Sequence, residues 1–387
     1  MSNIDELIKK LCPDGVEYKA IENLAEITTG SSNGNEAEEG GNYPFFIRSQ
    51  IVKRKNEWEY DEEAIIIPGE GRIGEIYHYI NGKYAIHQRV YRIHFTGNLI
   101  NVKFVYYYFC VFFKKFILKK AVSATVKSIR KPMIEKFEIP IPPLEVQEEI
   151  VHILDSFTEL TAELTAELTA RKKQYEYYRD KLFTFGDDVP RVKLKDVATI
   201  IRGGNFQKKD FRDEGFPCIH YGQIYTKYGM KVKNTISFVE GEIFEKSKKA
   251  QKNDIIMAVT SENLKDLCKC LVWLGDEDAA ISGDAVIIKH NQNPSYLAYY
   301  FYTEMFFTQK RRLAHGTKVI RVTPSNLLDI EIPLPSLEEQ ERIVSILDKF
   351  DKLCNDLTEG LPAEIEARKK QYEYYRDKLL TFKEIGK

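Results

Sequence analysis

The sequence predicts an α+β protein in which two mixed α/β domains are separated by two long helices, the whole being an internal pseudo-two-fold repeat. Three observations carry that expectation. The block "IPIPPLEVQEEIVHILDSFTEL" from Ile139 returns as "IPLPSLEEQERIVSILDKFDKL" from Ile332. The dodecapeptide "RKKQYEYYRDKL" occurs letter for letter at 171–182 and at 368–379. An opening segment, "VEYKAIENLAEITTG" from Val16, resembles "VPRVKLKDVATIIRG" from Val189. Matches spaced this far apart mean one folding unit used twice. The chain therefore divides into a first domain (1–142), a first long helix (143–186), a second domain (187–335) and a second long helix (336–387).

The helices follow from spacing. Ile150, Leu154, Phe157, Leu160, Leu164 and Leu168 step by three or four, and Tyr175, Tyr178 and Leu182 continue the stripe. Ile343, Leu347, Phe350, Leu353 and Leu357 do the same in the second copy, followed by Leu361, Ile365, Tyr372, Tyr375 and Leu379. One apolar stripe per helix has the width of a coiled-coil seam. Pro142, Pro143 and Pro335 stand just ahead of the starts, where proline belongs. At 1.5 Å per residue, a helix over about 144–185 is roughly 60 Å long. A helix that long with one stripe needs a partner, and the other copy packed antiparallel supplies one. The first copy carries a tandem TAEL stutter ahead of the dodecapeptide; the second carries Gly360-Leu361-Pro362, which predicts a break.

Within the domains, "AIIIP" from Ala64, "YAIHQRVYRIHF" from Tyr84, "DIIMAV" from Asp254 and "AVIIKH" from Ala285 read as strands. Asn81-Gly82 reads as a hairpin turn. Each domain also has one aromatic helix, "NVKFVYYYFCVFFKKFILKK" from Asn101 and "PSYLAYYFYTEMFFTQKRRL" from Pro294. The two align with Tyr106 on Tyr299, Tyr107 on Tyr300, Phe113 on Phe306 and Lys119 on Arg312. Their aromatics are expected to fill the core against the sheet rather than to stack on bases.

Composition excludes several classes. The chain has 387 residues, is 43% hydrophobic and 30% charged, and has a net charge of −1. No apolar run is long enough for a membrane span, and the start "MSNIDELIKKL" lacks the apolar region of a signal peptide. A cytoplasmic protein is expected. Of six cysteines only Cys268 and Cys270 are close, and C-x-C without nearby partners makes a poor zinc site, so no metal is expected. "GEGRIG" from Gly69 fits G-x-G-x-x-G, but no acid follows at dinucleotide-binding distance. These glycines are read as turns with Arg72 exposed at the tip. There is no Walker A loop, no G-x-S-x-G elbow, no H-E-x-x-H, and no N-P-P-Y type loop for methyl transfer, so no catalytic residues are expected.

The sharpest charge signal follows each aromatic helix. Residues 114–131 carry seven Lys or Arg and no acid; residues 308–321 carry five, one His and no acid. Positive charge concentrated at matched places in a near-neutral chain points to phosphate backbone. The candidate DNA-binding residues are Arg72, Lys119, Lys120, Thr125, Lys127, Arg130 and Lys131 in the first domain. In the second they are Lys310, Arg311, Arg312, Lys318 and Arg321.

The opening segments, the closing block I-P-x-P-x-L-E-x-Q-E-x-I-V-x-I-L-D, and the TAEL stutter before "RKKQYEYYRDKL" together resemble the specificity subunit of type I restriction-modification systems, in the subgroup with tandem TAEL units. The resemblance covers nearly the whole chain. It implies two target recognition domains, each reading half of a bipartite, asymmetric double-stranded DNA site, and two helices forming an antiparallel coiled coil that sets the spacing. It implies no chemistry in this chain. Two methyltransferase subunits dock on it and two restriction subunits join the full complex, with S-adenosylmethionine, ATP and Mg held by those partners. The duplicated surface Arg171, Lys172, Lys173, Tyr175 and Arg179, with its twin Arg368, Lys369, Lys370, Tyr372 and Arg376, is the expected docking face. A stand-alone DNA-modifying enzyme and a coiled-coil scaffold without nucleic acid are the competing readings; the missing catalytic loops weigh against the first and the matched basic clusters against the second.

Overall fold

The computed structural model describes residues 2–119, 128–204, 206–356 and 358–386. It is mixed α/β and divides into two units, one comprising residues 1–165 with 365–387 and the other residues 166–364. Each unit thus combines one sheet-rich part with helical pieces from both repeats.

In the first unit the opening strand Glu17–Ala20 pairs antiparallel with the closing strand Glu138–Ile141, setting Lys19 against Ile139. In the second, Arg191–Lys193 pairs in the same way with Glu331–Pro333, setting Val192 against Ile332. Each globular part is therefore closed by its own ends. This is the physical reason that the opening and closing segments repeat while the sequence between them varies.

Between those ends the first unit holds a six-stranded sheet in the order Ala25–Thr29, Val90–Phe95, Tyr60–Pro68, His78–Ile86, Tyr43–Phe46, Lys53–Lys55. Ile65 and Ile67 point to the aromatic helix and Ile66 to the opposite face, the period of two that a strand imposes. The second unit has a five-stranded sheet, Ala198–Arg202, Ala285–His290, Ile255–Ala258, Cys270–Trp273, Lys231–Val232. A four-stranded one, Ser237–Val239, Phe216–Ile219, Ala279–Ile281, Lys249–Ala250, accompanies it. Cys268 and Cys270 are buried among these strands, and burial pushes the Cys268 thiol up to about 12.

Two strand expectations are corrected. Asn81-Gly82 is not a hairpin turn. Both residues lie inside His78–Ile86 and pair with Glu63 and Glu62. The nine-residue strand Tyr60–Pro68 recruits a partner of equal length, and Gly82 stays in it at φ +120°, with open space where a Cβ would be. The true connections are the glycine loop 69–75, where Gly71 and Gly74 take positive φ, and the turn 87–89. That turn splits the segment from Tyr84 into two strands.

The aromatic helices fill the core, as their composition predicts. Their register differs by one residue from the expected alignment. Asn101 and Asn293 are the equivalent caps, each accepting from the backbone N–H three residues on. Tyr107 therefore corresponds to Tyr299. The first helix runs Val102–Tyr108, a π-helical turn Phe109–Phe113, then Lys114–Lys119. The second breaks into Pro294–Tyr300 and Glu304–Leu313, because Thr303 caps a new start by accepting from Phe306 N.

The first long helix spans Leu144–Leu182. The second copy is two helices, Leu337–Asn355 and Leu361–Leu379, with the break the sequence predicts falling at Gly360, just ahead of Leu361 and Pro362; the stripe position Leu357 lies outside the described residues. A further helix, Ser2–Leu11, which the sequence patterning does not predict, buries Ile4 in the first unit's core.

The repeated block Q-E-x-I-V-x-I-L-D, from Gln147 to Asp155 and from Gln340 to Asp348, has a structural role. Gln147 is fully buried. Its Oε1 accepts from Asn101 N at 2.8 Å, and its Nε2 donates to the carbonyls of Pro142 and Leu99. Gln340 does the same, accepting from Asn293 N and donating to the Pro335 carbonyl and Gln292 Oε1. Two turns on, Asp155 accepts from Tyr107 Oη at 2.5 Å and pairs with Lys103 at 2.7 Å. Its twin Asp348 accepts from Tyr299 Oη at 2.7 Å and pairs with Lys231 at 2.6 Å. These four residues clamp each aromatic helix to its long helix. Gln147→Ala or Gln340→Ala is expected to lower stability by about 1–3 kcal/mol for each buried group left unsatisfied, read as a fall in denaturation midpoint. A variant with an unchanged midpoint would remove the clamp.

Candidate nucleic-acid and docking surfaces

In the first unit, Ile129 N donates to the Gly69 carbonyl at 2.8 Å, which brings the segment 128–131 against the glycine loop. Arg130 immediately precedes the short helix Lys131–Glu135 and is exposed; Lys131 lies 3.7 Å from Glu135. Lys119 ends its helix exposed to solvent. Arg72 is 73% exposed at the tip, as expected, and pairs with Glu75, which also holds Lys114. Glu70 similarly joins Arg48 and Arg89, whose hydrogen bonds hold its carboxyl below the usual range. The basic surface here is thus partly neutralised. Lys120, Thr125 and Lys127 lie outside the described residues.

In the second unit the corresponding contact is Val322 N to the Val259 carbonyl at 3.1 Å, and Ile320–Arg321 pairs with Thr260–Ser261. Arg311, Arg312, Lys318 and Arg321 are all exposed, and none of the four makes an ion pair among the described residues. Lys310 is corrected. It is only 5% exposed, and its ammonium donates to the carbonyls of Leu267 at 2.6 Å and Lys265 at 3.1 Å. Burial lowers its pKa. Lys310 follows the buried Phe306 by four residues, so it shares the inward face of its helix; it anchors the loop 261–267 and is not available to phosphate.

The duplicated dodecapeptide makes the same tyrosine–phenylalanine contacts in both units. In the second unit Tyr178 stacks on Phe350 with ring centroids 5.7 Å apart, and Tyr175 lies 6.4 Å from the same ring. In the first, Tyr375 stacks on Phe157 at 5.8 Å and Tyr372 lies 6.4 Å away. Phe157 and Phe350 are the twin residues of "ILDSF" and "ILDKF". Each dodecapeptide copy therefore packs on the phenylalanine of the other repeat. In the second unit the pair runs antiparallel, with Arg171 and Lys172 near Cys354 and Tyr178 against Phe350.

This sorts the expected docking residues. Tyr175 and Tyr372 serve helix packing, because their rings face those phenylalanines; they are withdrawn from the docking face. Arg171 donates to Gln174 and Arg368 to Gln371. Arg179 and Arg376 lie 5.7 and 5.6 Å over the rings of Tyr175 and Tyr372, and each pairs with the following aspartate. Exposed are Lys172, Lys173, Glu176 and Lys181, with twins Lys369, Lys370, Glu373 and Lys378, of which Lys378 pairs with Asp5 at 3.0 Å. Sequence reasoning missed Tyr177 and Tyr374, which are 61% and 65% exposed at identical places. The signal was present: both lie off the apolar stripe, so packing does not explain their identity.

Among the described residues no group of three or more His, Cys, Asp or Glu is placed to hold a metal ion, and no helix is long and apolar enough to cross a membrane.

Two α/β units, each with a globular part closed by its own end strands, a basic loop surface and one copy of the duplicated helical face, define a class of DNA-recognition protein. The family model described as "Type I restriction modification DNA specificity domain" matches residues 13–171 and 186–367, and the chain belongs to that family. It is the non-catalytic specificity subunit of a type I restriction-modification system. Its relatives include a putative type I restriction enzyme specificity subunit from Haemophilus influenzae, 30% identical over 99% of this chain and 100% of the relative. A type I restriction enzyme specificity subunit from Escherichia coli is 36% identical over 64% of this chain and 63% of its own. The fold is that of the type I restriction-modification S subunit from M. genitalium (TM-score 0.57, 16% identity, 95% and 96% of the two chains). A chain from a structure of type I system assembly and conformational transition is similar too, with TM-score 0.62, 15% identity, and 95% and 98% coverage.

Proposed function

We propose that this subunit reads a bipartite, asymmetric DNA target, one half-site per globular part, and docks two methyltransferase subunits on its two dodecapeptide faces. Two restriction subunits complete the assembly, and S-adenosylmethionine, ATP and Mg belong to those partners. The complex works in the cytoplasm. The observation that carries this reading is the contrast within one chain. Sequence diverges between the closed ends of each globular part, while solvent-facing residues of the dodecapeptide are identical in both copies. Divergent parts suit different DNA half-sites; an identical surface presented twice suits one kind of partner bound twice.

The reading makes Arg311, Arg312, Lys318 and Arg321 phosphate or base contacts of the second globular part, and Arg72, Lys119, Arg130 and Lys131 those of the first. Lys120, Thr125 and Lys127 remain candidates for the first part. Each phosphate contact contributes about 0.9 to the slope of log affinity against log salt. Replacing Arg311, Arg312, Lys318 and Arg321 by alanine in the assembled complex should lower that slope by up to about 4. The experiment that tests the bipartite reading directly is exchange of residues 187–335 for the corresponding segment of a relative with a different target. The methylated sequence should change in one half-site only. A change in both halves, or in neither, contradicts it.

A further inference from the structure

A second cationic surface lies in the second globular part, formed by residues outside the basic cluster at 311–321. Directly after the strand Ala198–Arg202, Gly203 and Gly204 are held against the neighbouring strand connection by bonds from Gly203 N to the Ala285 carbonyl and from Gly204 N to the Ile281 carbonyl. A Cβ on Gly203 would stand 2.1 Å from the Ser282 carbonyl oxygen, so the wall there is bare backbone. Phe206 is buried with Cys218, Val239 and Phe244 and forms a floor. Over it opens a cavity of about 630 Å³ whose rim carries Gln207, Lys209, Lys246 and Lys248, with one acid, Asp210, whose carboxylate accepts from Gln207 N. A second hollow of about 430 Å³ shares Gly204, Phe206 and Gln207, and continues past Arg202, His220 and Asp284, whose carboxylate accepts from Thr260 Oγ1. The two form one channel-like depression along the surface.

Charge distinguishes this depression. Lys246 is paired with Glu242 and Arg202 donates to the Gly283 carbonyl. Lys208, Lys209 and Lys248 are exposed and make no ion pair among the described residues. The first globular part has the same backbone device, since a Cβ on Gly30 would stand 2.0 Å from the Ile86 carbonyl oxygen. The segment that follows it, 31–41, has three glutamates and no Lys or Arg. It is also closed, because Lys55 bonds Glu36 at 2.7 Å and Ser32 bonds Glu59 at 2.5 Å. Lys55 holds the Glu36 carboxyl down at about 2. Two parts built on one plan therefore differ here: residues 31–41 have three acids and no cation, whereas the matched 204–214 have three of each, with Arg212 paired to Glu240 and Lys208 and Lys209 left without an ion pair among the described residues beside a groove.

We propose that the second globular part grips the phosphodiester backbone of duplex DNA in this groove, with Lys209 and Lys248 as phosphate contacts, and that the first part has no equivalent grip. The inference rests on the proposed DNA-reading function and adds to it a sequence-independent contact on one half-site only. Phosphate contacts fix register and add affinity without reading bases.

The test uses the complex assembled with its methyltransferase subunits, carrying Lys209→Ala and Lys248→Ala together. Both side chains are exposed, so thermal unfolding should match that of the parent. Affinity for a duplex containing the target is measured across salt concentrations. The slope of log affinity against log salt is expected to fall by about 2, while the methylated sequence stays the same. An unchanged slope in a variant whose parent binds DNA salt-dependently overturns the groove assignment alone. A changed half-site overturns its phosphate character. A parent complex with no salt-dependent binding overturns the DNA-reading function and this inference together.

Discussion

Reversing the charges of Lys172, Lys173, Lys369 and Lys370 to glutamate abolishes assembly with the methyltransferase subunits. All four side chains face solvent, and none is needed to hold the helix pairs, which rest on the tyrosine–phenylalanine stacks. The fold should therefore survive. Close charge pairs across an interface are worth roughly 1.5–7 kcal/mol each, so two reversed per face suffice to remove a docked partner. Reversal of Lys172 and Lys173 alone should leave the complex with one methyltransferase subunit instead of two, because the second face is intact. Tyr177→Ala with Tyr374→Ala should weaken both contacts by about 2 kcal/mol or more if these rings are buried hot spots on docking. The measurement is the stoichiometry of the purified complex by mass. Full stoichiometry in the four-lysine variant removes the docking face.

Deleting one TAEL unit shortens the spacer between half-sites by at most about two base pairs and leaves both half-sites as they were. Leu160, Leu164 and Leu168 recur on one half-buried face of the helix, and the threonines fold back on it, as Thr161 does on the Phe157 carbonyl at 2.8 Å. The unit is thus a self-contained helical segment, and the boundary between the two structural units falls within the stutter, after Thr165. Four residues add about 6 Å and turn the helix about 40° beyond a full rotation, an offset that coiled coils accept as a stutter. Duplex DNA rises about 3.4 Å per base pair. The second repeat has no stutter and breaks before Gly360 instead, so its adjustment must come from the break. A variant with an unchanged spacer, or with a changed half-site, contradicts the geometry.

Periodicity made the helices legible, because a single apolar stripe can be counted in the sequence. It made the break at Gly360 legible for the same reason. What it could not show was which repeat each helix packs on. The identity of the dodecapeptides arises partly from their twin phenylalanines, Phe350 and Phe157, each far away along the chain. The closing strands were visible as motifs, yet their pairing with the opening strands is a long-range fact. Asn81-Gly82 misled because a local turn signal was outweighed by a nine-residue strand that needed a full partner. Lys310 misled because a charge run was counted without its helical face; its spacing from Phe306 would have turned it inward. Gln147 and Asp155 stood in the repeated block, but only burial and bonding separate a structural clamp from a surface motif. The groove beside Gly203 escaped because its lysines are spread over two segments, 208–209 and 246–248, brought together only by the fold.

The central claim is that one chain carries two independent DNA readers. It is tested most directly by mapping every methylated adenine in a genome modified by the complex. The account predicts one asymmetric motif made of two short defined halves separated by undefined bases of constant number. A single uninterrupted motif, or no sequence-specific methylation dependent on this subunit, would contradict it.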